Sequence, residues 1–510
     1  MRVLGAAQMR AADSAAVARM GDVALMRAAG AALAEAIALA APSPRKVIAF
    51  AGPGNNGGDA YAALAAFEAP CERIVYASAT SGTSPGRHDA ETRAAIAGVE
   101  TRAFPASLAE AEAALVGADV ALDALLGTGA RAELPPNFIP VVEALNTARA
   151  VVIAVDIPTG LDADTGKLGA HTVRANLTVT LGAPKLGLLL EPARSHTGDL
   201  YIGELDIESE IRALEEPRFE ALADGEFLAL LPRRDDESDK RASGAPLIIA
   251  GSEQFPGAGV LCARGAARAG AGYVTVATGI SAAPALRSHL IEQVVVTYDE
   301  RDVEGAIETL LDLTKRSNAV GLGPGLGLSE NVGAILRGFI EKLERPFVAD
   351  ASALFHLGKH LDILKGKACV LTPHAGEFAR LSGEGTIAPG ARIERLRSFV
   401  KRTGVTTLLK GNATLIDDGT TIDINVSGTS ALATAGTGDV LSGVIATLLA
   451  QGLSPRDAAR AGAYWHGLAG RYAAQQRPVG VVAGDVAEAL GLALPRRPQR
   501  GAGEHLIRLS

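Results

Sequence analysis

The sequence predicts an α/β protein built from two successive domains, each an open, mainly parallel sheet between layers of helix. Three observations carry that expectation. The composition is 48% hydrophobic but only 4% aromatic, so the core is mostly Ala, Val, Leu and Ile, which suits parallel strands covered by Ala-rich helices. Short apolar, β-branched runs end repeatedly in Gly, Asp, Asn or Thr. Two glycine-rich loops, 51–59 and 434–440, each carry an aspartate and each read as the entry to a helix, where free backbone N–H groups favour an anion.

Taken in order, residues around 9–41 read as helical, with Asp13 near the start. Residues 46–50 form a strand, followed by the first glycine loop and an Ala-rich helix over 59–67. A second strand covers 73–77. Residues 119–122 run into Asp123-Ala124-Leu125-Leu126-Gly127-Thr128-Gly129, 151–155 run into Asp156-Ile157-Pro158-Thr159-Gly160, and 177–181 precede Lys185. In open parallel sheets ligands bind beyond the carboxyl ends of strands, so three strand ends supply one cleft. Length alone suggests about three domains, but the pattern divides into two. The first covers 1–210, an acidic stretch with Pro217 over 211–224 is the linker, and the second covers 225–510. Its strands are expected at 246–250, 274–277, 319–322, 347–349, 369–371 and 406–409.

A net charge of −8, with no long basic run, argues against a nucleic-acid partner. Cys71, Cys262 and Cys369 are scattered, without metal-ligand or disulfide spacing. The sequence reads as having no signal peptide and no apolar run long enough for a bilayer. A cytoplasmic protein without a membrane partner is expected.

Gly52-Pro53-Gly54-Asn55-Asn56-Gly57 formally matches the dinucleotide fingerprint, but that match alone is weak. The acidic residue that should follow the next strand is missing, because residues 77–80 are Ala-Ser-Ala-Thr. The surplus Asn-Asn-Gly-Gly-Asp is the sharper feature. Asn56 offers a neutral oxygen, Asp123 a charged one, and Thr159 a hydroxyl or a carbonyl. Such an oxygen set suits a hard, weakly charged cation better than zinc. Singly, each reads as a turn cap or a solvated group; together with Asp156 at one cleft they read as a site.

AGPGNNGGD, DALLGTG, DIPTGLDADTG and APKLGLL, in this order, resemble the NAD(P)H-hydrate epimerase domain of the YjeF N-terminal family. The resemblance implies a Rossmann-like three-layer fold. It implies that Asn55, Asn56, Gly57, Gly58 and Asp59, with Gly127, Thr128, Gly129, Ala130, Arg131, Ala132 and Glu133, bind a hydrated dinucleotide. It further implies that Asn56, Asp123 and Thr159 hold potassium and that Asp156 meets substrate. Ala60 and Thr159 stand where the family usually has Gly and Ser.

In the second half, Gly436-Thr437-Gly438-Asp439 precedes a helix. N–H groups at 437–439 are expected to form an anion hole for a moving phosphoryl group. Asp439 within reach of it is expected to be held ionised by the helix dipole, ready to take a proton from a hydroxyl. No P-loop sequence exists. Residues 321–327, 371–378 and 410–414 each follow a strand. His374 reads as a ligand contact, whereas His466 on an apolar helix reads as core.

This set resembles the ADP-dependent NAD(P)H-hydrate dehydratase domain, which has a ribokinase-like fold. The resemblance implies that Ala258, Gly325 and His374 line the substrate. Lys410, Gly411, Asn412, Ala413, Thr414 and Gly438 would meet the adenine nucleotide, and Asp439 the substrate. Ser352, Ala375 and Ser430-Ala431-Leu432 stand where the family has Asp, Pro and a Gly-Met segment. The expected protein is a bifunctional repair enzyme and a homo-oligomer. Asp156, with Lys185 a weaker candidate, would epimerise the hydrated cofactors NADHX and NADPHX; Asp439 would serve in dehydration, with ADP as co-substrate and magnesium. A small-molecule kinase fused to a ligand-binding domain, or a first domain that only senses nucleotide, are the competing readings.

Overall fold

The computed structural model describes residues 1–78, 84–129, 133–214, 218–232, 240–241, 243–495 and 505–509. The chain divides into two compact units, Met1–Ala223 with Pro498–Ser510, and Asp224–Arg497.

In the first unit the strands are β1 (Arg2–Val3), β2 (Lys46–Ala51), β3 (Glu72–Ala77), β4 (Glu100–Ala103), β5 (Val120–Ala124), β6 (Val151–Val155), β7 (Leu177–Leu181), β8 (Asp199–Gly203) and β9 (Arg218–Glu220). β2 is parallel both to β3 and to β5, so the strand order reverses there and opens a crevice. Register aligns Phe50 with Asp123 and Asp123 with Ala154, which brings the ends of β2, β5 and β6 to one level. The period of two shows in β2. Val47, Ala49 and Ala51 enter one core with helices Asp22–Ala40 and Asn55–Ala66, while Ile48 and Phe50 enter the other with Val141, Val142 and Leu145.

Several expectations change. The 9–41 region is two helices, Ala6–Met20 and Asp22–Ala40, parted by Gly21 at φ 86°, and Asp13 lies mid-helix. The loop helix begins at Asn55, not 59. Asp22–Ala40 is, by length and composition, apolar enough to cross a membrane, contrary to the expectation of no such run. Here it buries Leu25, Met26, Ala29, Leu33 and Ile37 in the core against the sheet and the loop helix. Part of the expected linker is ordered structure, since β9 pairs antiparallel with β1. Strand Leu506–Arg508, here β19, pairs antiparallel with β8 and so joins the first unit's sheet.

In the second unit the strands are β10 (Pro246–Ile249), β11 (Thr275–Gly279), β12 (Val294–Tyr298), β13 (Ala319–Leu322), β14 (Phe347–Ala349), β15 (Cys369–Leu371), β16 (Thr406–Leu409), β17 (Thr414–Asp417) and β18 (Thr421–Asn425). β10 is parallel to β11 and to β13, a second reversal point. The ladder stays parallel through β16 and turns antiparallel at β17 and β18. Helix Thr437–Ala450 is apolar nearly all round and almost wholly buried, packed on β10, β13 and β14 and on helices Pro256–Arg268 and Pro455–Gln476. The unit is a mainly parallel α/β sheet with helices packed against it.

Candidate functional site

Two sites stand out, one in each unit. In the first, the glycine loop is shaped by contacts that leave no room for side chains. A Cβ on Gly52 would lie 1.8 Å from the Leu125 carbonyl oxygen, and one on Gly57 would lie 2.1 Å from the Gly52 carbonyl oxygen. Arg87, on helix Pro85–Ile96, is buried beneath the loop. Its Nη1 donates to the Gly52 and Gly54 carbonyls, both at 2.7 Å, and its Nε to Glu91 at 2.8 Å. Nothing in the sequence marked Arg87 as part of the loop, because the loop groups it holds are backbone oxygens more than thirty residues away.

Asp123 ends β5 with no solvent exposure. It accepts from the Thr159 N–H at 2.8 Å and from the Thr159 hydroxyl at 2.7 Å. Burial pushes its carboxyl up to about 6, against the opposing effect of the Thr159 and Leu125 hydrogen bonds. Asn56 is buried on the first turn of the loop helix, and its Nδ2 has no partner among the described residues. The structure thus brings Asp123 and Thr159 into direct contact. Asn56 faces the same loop, since a Cβ on Gly127 would meet its Oδ1 at 3.2 Å.

Asp156 follows β6 at φ 66°, a left-handed conformation unusual for a residue other than glycine. Its Oδ1 accepts from Lys185 Nζ at 2.5 Å and from the Leu181 N–H at 3.1 Å, and its Oδ2 accepts from the Thr128 N–H at 3.3 Å. Lys185 is 1% exposed and also donates to the Leu181 carbonyl. Asp13 and Asp59 belong to the same electrostatic cluster. Burial, and then the Asp156 charge, raise Asp59 well above the carboxylate range. Burial raises Asp13 to about 6, with Lys185 opposing. Lys185 is the cation that opposes the rise of both Asp13 and Asp59. Ala130, Arg131 and Ala132 lie outside the described residues.

In the second unit Gly436, at φ 90°, caps helix Thr437–Ala450. The expected anion hole is narrower than the sequence implied. The Thr437 N–H donates to the Thr434 carbonyl at 3.4 Å and the Asp439 N–H to the Gly436 carbonyl at 3.1 Å, which leaves the Gly438 N–H. Asp439 follows in the first helical turn. Its carboxyl is not held ionised by the helix dipole as expected. Burial, with Asp350 and Glu377 nearby, raises it to about 7, and Lys410 opposes. Desolvation outweighs a partial helix charge here.

Lys410, at the end of β16, donates to Asp350 Oδ1 at 2.8 Å and lies 3.9 Å from Glu377. Burial lowers its pKa, but Asp350, Glu377 and Asp439 together raise it on balance. Arg392 braces the turn that follows, donating to the carbonyls of Leu409, Lys410 and Ala413. Thr414 bonds the Gly411 carbonyl. His374 is the N-cap of helix Ala375–Ser382. Its Nδ1 accepts from the Gly376 N–H, Glu377 closes the capping box, and the imidazole is largely exposed. Gly325, at φ 67°, packs against Ala258. Ser352 accepts from the Gly327 N–H at 3.2 Å, so the residue in the expected Asp position ties down the 321–327 loop. His466 is buried with Nε2 unpartnered, and burial drops it to about 4.

The match to known proteins follows these units. Residues 22–187 match the family model described as the YjeF-related protein N-terminus, and residues 246–491 match that described as NAD(P)H-hydrate dehydratase. The bifunctional NAD(P)H-hydrate repair enzyme of Thermofilum pendens is 35% identical over 494 residues, 94% of this chain and 93% of that protein. The enzyme of the same name from Pyrobaculum aerophilum is 34% identical, covering 94% of this chain and 95% of its own. The solved structure of the ADP/ATP-dependent NAD(P)H-hydrate dehydratase from Bacillus subtilis aligns with 54% of this chain and 97% of that chain at 29% identity, TM-score 0.47. With both halves matched in order and nearly the full length shared, the chain belongs to the family of bifunctional NAD(P)H-hydrate repair enzymes.

Proposed function

We propose that each unit performs one step in repairing hydrated NADH and NADPH, and that Asp439 is the base of the dehydration step. The observation that carries this is the placement of the Asp439 carboxyl on the first turn of a helix, close to Asp350 and the half-buried Lys410, where burial raises it to about 7. A general base works best with a pKa near the operating pH.

In the second unit Asp439 takes the proton from the substrate's ring hydroxyl, and the resulting oxygen attacks the terminal phosphoryl group of ADP. AMP leaves. The C–O bond of the phosphorylated ring then breaks, phosphate departs, and loss of a proton from the neighbouring ring carbon restores NADH or NADPH. Lys410 and the Gly438 N–H would neutralise charge on the moving group. The Lys410–Thr414 turn, braced by Arg392, would carry the nucleotide. Ala258, Gly325 and the exposed His374 ring would line the substrate. Among the described residues no group of three or more His, Cys, Asp or Glu is arranged to hold a metal ion. Magnesium would arrive with the nucleotide phosphates and help to balance their charge.

In the first unit the residues fit a weakly charged cation. Asp123 is a buried carboxyl whose hydrogen bonds come from Thr159 and Leu125 and whose raised pKa no cation among the described residues opposes. Potassium held by Asp123, Asn56 and Thr159 would supply that charge and fix the two loops. Asn55–Asp59 and Gly127–Glu133 would hold the dinucleotide. The Asp156–Lys185 pair then exchanges a proton with the substrate's hydroxyl as its bond to the ring opens and is remade on the other face.

Mixing the protein with both epimers and ADP tests the reading. The absorbance of reduced cofactor should return in full, with stoichiometric AMP and phosphate. Accumulation of a stable phosphorylated product would favour the kinase reading. Binding without epimer exchange would reduce the first unit to a sensor.

A further inference from the structure

We propose that Asp350 is a positioning residue for the dehydration step, holding Lys410 and the first turn of the catalytic helix in register beside Asp439. The proposal rests on the reading of Asp439 as the base.

Asp350 follows β14 and is 2% exposed. Its two carboxylate oxygens are divided between two elements. Oδ1 accepts from Lys410 Nζ at 2.8 Å, and Oδ2 accepts from the Ser442 hydroxyl at 2.8 Å. Ser442 also lies 3.0 Å from the Gly438 carbonyl oxygen, so Asp350 reaches the turn that carries Asp439. Lys410 is fixed at its other end, where its N–H donates to the Pro373 carbonyl at 2.9 Å. A lysine has four rotatable side-chain bonds, and without a buried anchor its ammonium would sample many places. With Asp350 it is held close over Gly438; a Cβ there would lie 3.4 Å from Nζ and 3.7 Å from Asp350 Oδ2.

The backbone shows the same constraint. Ala351, next in the chain, sits at φ 49°, a conformation unfavourable for a residue with a Cβ. Strain of this kind persists only where surrounding contacts over-determine it. The Asp350 carbonyl is itself packed under the 321–327 loop, 1.8 Å from where a Gly323 Cβ would be. One short turn thus connects the Lys410 ammonium, the catalytic helix and the loop expected to line the substrate.

Asp350 also acts on Asp439 through space. The groups facing Asp439 are Asp350, Glu377 and Lys410, with the Cys262 thiol on helix Pro256–Arg268, while the His466 ring on helix Pro455–Gln476 bonds the Thr437 backbone and feels Lys410. Cys262 is pushed up and His466 down by burial, so both are neutral near pH 7. Asp350 and Glu377 raise Asp439 and Lys410 lowers it. Replacing Asp350 by a neutral amide removes one raising charge and releases the lysine. The base then ionises at lower pH while its geometry degrades.

The test is the pH profile of dehydration in Asp350→Asn and Ser442→Ala, measured on the full chain with ADP varied. In Asp350→Asn the acidic limb of kcat/KM should move to lower pH, and the plateau should fall about 10–100-fold, as expected for loss of a charged hydrogen bond worth about 1.5–3 kcal/mol. Ser442→Ala keeps the charge, so it should lower the plateau and leave the limb in place. Epimerisation by the first unit should be unchanged in both. An Asp350→Asn variant that loses rate equally at every pH is only structurally weakened, and that result overturns the proposal. If Asp439→Asn retains dehydration, the base assignment fails instead, and the two failures are distinguishable.

Discussion

Replacing Arg87 by Met removes the guanidinium under the first glycine loop while keeping an unbranched, apolar side chain. Three charge-assisted hydrogen bonds are lost, to the Gly52 and Gly54 carbonyls at 2.7 Å each and to the partly exposed Glu91 carboxylate at 2.8 Å. Bonds to charged groups contribute about 1.5–3 kcal/mol each, and an orphaned buried acceptor carries its own desolvation penalty. Part of this is offset, because Nη2 is buried without a partner and that cost disappears with the arginine. A net loss of about 2–4 kcal/mol follows, a large fraction of the roughly 5–15 kcal/mol that stabilises a typical domain. The chain has one tryptophan, and it lies in the second unit, so its fluorescence does not follow the first. The assay is therefore residual epimerisation after incubation in urea. Its midpoint should fall by about 0.7–4 M, given slopes of about 1–3 kcal/mol/M, and KM for the hydrated cofactor should rise while dehydration is unaffected. An unchanged midpoint together with an unchanged KM would refute the role given to Arg87.

Three further outcomes are expected. Dehydration should gain rate as pH rises through about 7 and level off above it, because Asp439 must lose its proton and burial raises it to about 7; a flat profile from pH 6 to 8 would remove it as base. Asp123→Ala should abolish any potassium dependence of epimerisation, and a salt response identical to the parent's would count against the ion site. Gly57→Ala should eliminate epimerisation and spare dehydration, because its Cβ would fall 2.1 Å from the Gly52 carbonyl oxygen; an active variant would show that the loop does not need this close approach.

Much of the fold was legible because the signals are local. A strand such as β2 alternates between two cores, and its run into Gly52 is written in consecutive residues. The glycine loops, Asp123, Asp156 and Asp439 announced themselves in the same way. What escaped is non-local. Arg87 and Arg392 act on backbone carbonyls, which have no residue identity to read. Asp350 lies in a stretch noticed only for its neighbour Ser352, yet its carboxylate joins β14 to a helix ninety-two residues on. The ionisation of Asp439 was misjudged because a helix terminus is visible in sequence, whereas burial and the approach of Asp350 and Glu377 are not. The pairing of β19 with β8 was likewise hidden, since it joins residues near the C-terminus to Asp199–Gly203.

The central claim is that Asp439 removes the proton from the hydroxyl to be expelled. Its most direct test is rapid mixing of Asp439→Asn with the hydrated cofactor and ADP, following reduced-cofactor absorbance in a single turnover. Loss of about 10²–10⁴-fold in that step, with epimerisation intact, is the result the account predicts. Turnover at the parent rate would contradict it.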